Sequence, residues 1–86
     1  MNKIIGILRS KLEGIGTKSE GPSYFIEPLD DYGTRWATVL VRKETMMWQE
    51  DPKLHPFIDK KVEILGEIIE TRSTITVDCS EIREIE

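Results

Sequence analysis

The stretch "LHPFIDKKVEILGEI", Leu54 to Ile68, changes its hydrophobic period halfway along. Leu54, Phe57 and Ile58 are spaced as on one face of a helix. From Lys61 the pattern is that of a strand, with Val62, Ile64, Gly66 and Ile68 alternating against Glu63 and Glu67. Just upstream, Asp51 and Pro52 form a helix-start signal, a capping side chain followed by proline at the first helical position. Pro56 lies in the first turns, where a missing amide hydrogen does least harm, so the expected helix is one or two turns long. The reading is a short helix delivered straight into a long strand.

Outward from this stretch the chain reads as strands. Downstream, "KVEILGEIIET" (61–71) is a strand, "RST" a tight turn and "TITVDCSEI" (74–82) a second strand, giving a hairpin. Upstream, "WATVLVRK" (36–43) is rich in β-branched and aromatic residues and is the clearest strand signal of all. "DDYGTR" (30–35) is a turn, and "YFIEPL" (24–29) is a strand whose Pro28 belongs at an edge or near the end, where no ladder donor is required. "EGIGTKSEGPS" (13–23) is a loop by its glycines and proline. "KIIGILRSKL" (3–12) is the first strand, and Gly6 within it marks a bulge or a sharp bend that lets one strand serve two sheets. No repeat, linker or low-complexity segment interrupts the chain, so residues 1–86 read as a single domain.

Three strands, a short helix and two more strands, β-β-β-α-β-β, is the order of the five-stranded Greek-key barrel called the OB-fold, an all-β class with one short helix. "DPKLHPFIDKKVEILGEII…TITVDCSEI" resembles the helix-to-strand signature of many small OB-fold domains, in which a glycine often precedes the double lysine; here Asp59 stands in that place. "GIGTKSEGPSYFIEP" resembles a segment of a prokaryotic family that has no assigned activity. The resemblance implies that the helix plugs one end of the barrel with Leu54, Phe57 and Ile58. It also implies that the fifth strand returns to the first and closes the sheet, removing edges that invite aggregation. Alternation places Ile4, Leu8, Tyr24, Ile26, Val39, Val41, Val62, Ile64, Ile68, Ile75 and Val77 inside.

Outward positions then define candidate sites. The outer face of strands two and three is where OB-folds usually hold oligonucleotides or oligosaccharides. Phe25 and Trp36 are candidate stacking platforms for single-stranded nucleic acid or another oligomeric ligand. Arg9, Lys11, Arg35, Arg42 and Lys43 are candidate backbone contacts, with Lys18 reaching in from the first loop. Two features oppose this: Trp36 begins its strand and could simply cover the barrel end, and Glu27 in the middle of the face would repel phosphate. "TMMWQ" (45–49) offers the alternative, a partner surface of Met46, Met47 and Trp48 for a protein or a second copy of the chain. For these residues, packing of Trp48 and one methionine under the helix is the commoner fate.

Charge and composition narrow the classes further. The 86 residues carry a formal charge of −4, a balance that argues mildly against a protein devoted to phosphate. The charge is uneven, +2 over residues 1–43 and −6 over residues 44–86, as for a mildly basic face on an acidic body. "GIGTKS" fails as a phosphate loop, since Thr17 separates glycine from lysine and no helix follows. His55 and Cys79, the only histidine and cysteine, make neither a catalytic pair nor a zinc site by spacing. Glu63 and Glu67 read as solvated charges on one strand face. The expectation is a non-enzymatic binding module without cofactor or metal, cytoplasmic by its lone cysteine, and not a membrane protein, because Arg9 ends the N-terminal apolar run after five residues.

Overall fold

A computed structural model describes residues 2–18, 20–46 and 48–85. Five strands, β1 (Asn2–Glu13), β2 (Gly21–Pro28), β3 (Val39–Val41), β4 (Lys61–Glu70) and β5 (Ile75–Glu84), close into a barrel in the order β1-β2-β3-β5-β4. This is the all-β Greek-key barrel expected of the element order. Its closure differs in one respect. The fifth strand does not return to the first: β5 lies between β3, to which it is parallel, and β4, and it is β4 that pairs with β1. Closure needs a strand from each half beside the other, and the long β1 supplies it by pairing with β4 over residues 2–7 and with β2 over residues 6–13.

The crossing point of β1 is Gly6, paired on one side with Pro28 and on the other with Val62. There is no bulge at Gly6. The residue is glycine because a Cβ there would collide with the backbone carbonyl of Glu27. A bulge does occur at Ser80, which has no partner on β4: Gly66 pairs with Cys79 and Leu65 with Glu81. Gly66 accommodates it, since any Cβ would strike the carbonyl of Asp78. The extra residue reverses the alternation. Ile75, Val77 and Cys79 face the core, whereas beyond the bulge Ile82 takes the inward place.

Of the interior set read from alternation, only Ile68 is less than fully enclosed; it packs against the core while remaining partly exposed. Leu54 and Cys79 complete the core. Each such burial stabilises the fold by about 1.5–3 kcal/mol relative to an exposed side chain.

The plug is present but is not an α-helix. Residues 52–54 are a turn that leads into a 3-10 turn at His55–Phe57. Pro56 has no N–H to extend an i→i−4 ladder, so the chain tightens to i→i+3 bonds, Phe57 N–H to Leu54 O at 2.9 Å and Ile58 N–H to His55 O at 3.3 Å. Asp51 caps as expected, its Oδ1 accepting Lys53 N–H at 2.8 Å. Leu54 is buried, with Phe57 and Ile58 packed against the core.

The third strand is much shorter than the segment 36–43. A 3-10 turn at Asp31–Thr34 takes the amides of Arg35 and Trp36 back to Tyr32 O at 3.2 and 2.9 Å, and Glu44 N–H goes to Asp51 Oδ2 at 3.1 Å. The amides of Arg35, Trp36 and Glu44 thus find their partners outside the sheet.

Candidate binding face

Register brings five outward side chains into one row around the wall. Arg9 lies opposite Phe25, Phe25 opposite Leu40, Leu40 opposite Thr76 and Thr76 opposite Ile69. Leu40 and Ile69 are exposed, at 46% and 48%, and Phe25 is half-buried. A shallow groove of about 270 Å³ runs beside the row between β2 and the outgoing end of β3, with Pro22, Ser23, Leu40 and Thr76 along it and Arg42 and Lys43 at its margin.

The cations expected to hold phosphate are placed around this face, but nearly all are engaged. Arg9 is clamped by two carboxylates, Nε to Glu27 Oε1 and Nη1 to Asp59 Oδ1, each at 2.7 Å; these bonds raise its pKa, Glu27 foremost. Glu27 therefore pairs with the face's central cation rather than standing alone against phosphate. Lys11 lies 3.4 Å from Glu13, and Arg42 lies 3.8 Å from Asp78. Lys43 donates to Pro22 O at 3.0 Å, and burial lowers its pKa. Lys18 is exposed in the loop after β1.

Arg35 and Trp36 do not belong to the face. Both reach the tip of the β4–β5 hairpin, Arg35 Nη1 and Trp36 Nε1 lying 3.2 and 3.1 Å from Glu70 Oε2. Trp36 packs against the core at that barrel end and covers the mouth.

The segment after β3 also departs from its expectation. Trp48 and Met46 are exposed, at 55% and 57%, and not packed under the plug; Met47 lies outside the described residues. Gln49 N–H to Met46 O at 2.9 Å and Met46 N–H to Gln49 Oε1 at 3.2 Å close a turn that points these side chains outward.

Beside that turn lies a polar cluster that sequence spacing did not bring together. Asp51 is 2% exposed; its carboxylate takes the amides of Glu44 and Lys53, and its own N–H donates to the Tyr24 hydroxyl at 3.0 Å. That hydroxyl is 3.1 Å from His55 Nδ1, and His55 Nε2 is 3.4 Å from Glu50. Burial, ahead of the nearby acids, raises the Tyr24 pKa. Among the described residues every buried side-chain polar atom has a partner, so the cluster is fully satisfied and serves as the brace of the plug. The signal that could have revealed it was Asp51 before Pro52, read only as a cap.

Glu63 is also not a solvated charge: its side chain is 12% exposed and its carboxylate receives Arg83 at 3.2 and 3.3 Å. Cys79 is buried, and burial raises its thiol pKa. Among the described residues no three His, Cys, Asp or Glu side chains gather as a metal site, and no helix is long and apolar enough to cross a membrane. Comparison with protein-family models, curated proteins and solved structures found no match.

Proposed function

We propose that the chain is a non-enzymatic binding module that meets a protein partner through the outer face of β2, β3 and β5. One observation carries this reading: the row through Phe25, Leu40, Thr76 and Ile69 offers apolar contact, while the cations beside it are matched by carboxylates or a carbonyl. A polyphosphate would have to displace Glu27, Asp59 and Asp78 from their arginines, whereas a protein surface of mixed charge can leave those pairs in place. An apolar centre with a rim of paired charges is the usual make-up of such a contact. The exposed Met46 and Trp48 lie outside the row and form an adjacent apolar patch.

Single-stranded nucleic acid is the second reading, favoured by the position of Phe25 on the face that OB-folds use. A short oligothymidylate titrated into the protein at low and at moderate salt, followed by tryptophan emission, separates the two. The protein reading expects no saturable change. Micromolar binding that weakens steeply with salt would replace it with the nucleic-acid reading. A photo-reactive residue at Leu40 is expected to give a discrete protein adduct that Phe25→Ala abolishes, and a nuclease-sensitive adduct would count against it.

A further inference from the structure

β5 outlasts its neighbour. β3 pairs with it only at Thr76 and Val77, Arg42 N–H adds one bond to Val77 O at 2.9 Å, and the chain then leaves the sheet. β5 continues to Glu84 with β4 on one side and, among the described residues, no strand on the other. Lys53 Nζ occupies the beginning of this bare edge, donating to Cys79 O at 2.9 Å and Ser80 O at 2.8 Å. Beyond it the edge is open. Ile85 N–H donates to Lys61 O on β4 at 2.8 Å, and peptide groups alternate between the two sides of an antiparallel strand. Arg83 therefore also faces β4, and Ile82 and Glu84 direct their N–H and C=O groups away from it.

Along this edge runs a second groove, of about 600 Å³, bounded by Lys53 and Phe57 of the plug on one side and by Glu81, Ile82 and Arg83 on the other, with Leu65 adding to its apolar surface. Its charges are not equivalent. Lys53 holds two carbonyls, and Arg83 and Glu63 hold each other. Among the described residues the carboxylate of Glu81 makes no contact of this kind, and the chain around it, residues 44–86, carries −6.

We propose that the β5 edge at residues 82–84 is a docking site for an extended segment of a partner protein that alternates basic and apolar residues, added as a strand in the place β3 vacates. Alternation in such a strand puts one set of side chains beside Ile82 and Phe57 and the other beside Glu81. The apolar lining selects the first set and the unpaired carboxylate the second. A slim segment fits a groove confined between the plug and the strand edge; a second barrel would meet the plug. This site is independent of the face described above, whose row crosses β5 at Thr76.

The test uses the full ¹⁵N-labelled chain and a capped octapeptide of alternating lysine and valine. The expected result is saturable shifts and slowed exchange at the Ile82 and Glu84 amides. N-methyl groups on alternate peptide residues weaken binding about tenfold or more in one register and not in the other, because only one set of amides faces β5. Glu81→Lys weakens the lysine–valine peptide and favours a glutamate–valine one, and Glu84→Pro, which removes an outward N–H from an exposed position, abolishes binding while the remaining amide spectrum stays native. Leu40→Asp leaves it unchanged, so failure here is distinct from failure of the β2–β3–β5 reading. Absence of shifts at millimolar peptide, or equal binding by both methylated forms, overturns the proposal. Concentration-dependent dimerisation with Ile82 and Glu84 already protected in the peptide-free protein also overturns it and assigns the edge to a second copy.

Discussion

At one mouth of the barrel, Leu54 lies wholly within the core and the buried carboxylate of Asp51 ties two loop amides beneath it. At the other mouth no residue of the turn Asp31–Thr34 is buried, and Tyr32 and Trp36 lie half-exposed across the opening, anchored by Asp30 to Ile5 N–H at 2.9 Å and by Glu70 to the Trp36 indole. The first closure is a plug, whose energy comes from apolar burial and from polar groups that have no water to fall back on. The second is a lid, whose polar anchors remain in reach of solvent. Closing the same barrel by two routes should give two mouths of unequal stability.

The strongest test of that contrast is Leu54→Ala, expected to destabilise the protein by about 2–5 kcal/mol in urea unfolding, the cost of transfer plus a cavity under a short turn that cannot collapse to fill it. Next is Asp51→Ala, which leaves the amides of Glu44 and Lys53 short of partners at a cost of roughly 1–3 kcal/mol, with faster exchange at those amides. Trp36→Ala removes a larger side chain than either, yet is expected to cost less than Leu54→Ala because the indole is only partly buried. Equal losses at Trp36 and Leu54 would erase the distinction between lid and plug.

A smaller effect concerns the end of the plug. Asp59 has φ 67°, in the left-handed region, which costs a non-glycine residue about 1–2 kcal/mol. Its N–H donates to Leu8 O at 2.6 Å, so the conformation is fixed from outside. Asp59→Gly is expected to gain up to about 1 kcal/mol, since the exposed ion pair it gives up with Arg9 contributes little. Asp59→Ala, which keeps the strain and loses the pair, should gain nothing.

The smallest effect is with pH. Burial holds the Cys79 thiol protonated to higher pH in the folded chain than in the unfolded one. Its contribution to stability is therefore complete below the ordinary thiol range near about 8.5 and is lost as pH rises toward the folded value. Urea midpoints measured across that range should fall with pH and fall less in Cys79→Ala.

The barrel was legible because its walls alternate. Inward residues such as Ile4, Ile26, Val62 and Ile64 must recur every second position, and the switch of period at Leu54–Ile58 marked the plug. The direction of closure was not legible, since alternation says which face a residue takes and nothing about which strand lies beside it. Side chains at the barrel ends were misjudged for a related reason. Trp36 was assigned outward by extending the alternation of Val39 and Val41 past the point where the amides of Arg35 and Trp36 turn back to Tyr32. The general habit of tryptophan puts Trp48 under the plug, whereas the turn closed between Met46 and Gln49 leaves it exposed. The candidate face was legible as a set of positions, but its electrostatics were not: Arg9 meets Asp59 across fifty positions of sequence, and only the fold brings them together.

The unpaired Ser80 has a consequence for any change in chain length. The final strand is written in two frames, odd-numbered residues inward before it and even-numbered residues inward after it. Deleting this one serine would join the two frames into one: Glu81 would follow Cys79 outward, Ile82 would keep its inward place opposite Ile64, and the pinch that turns the Cys79 and Ser80 carbonyls together onto Lys53 would be lost.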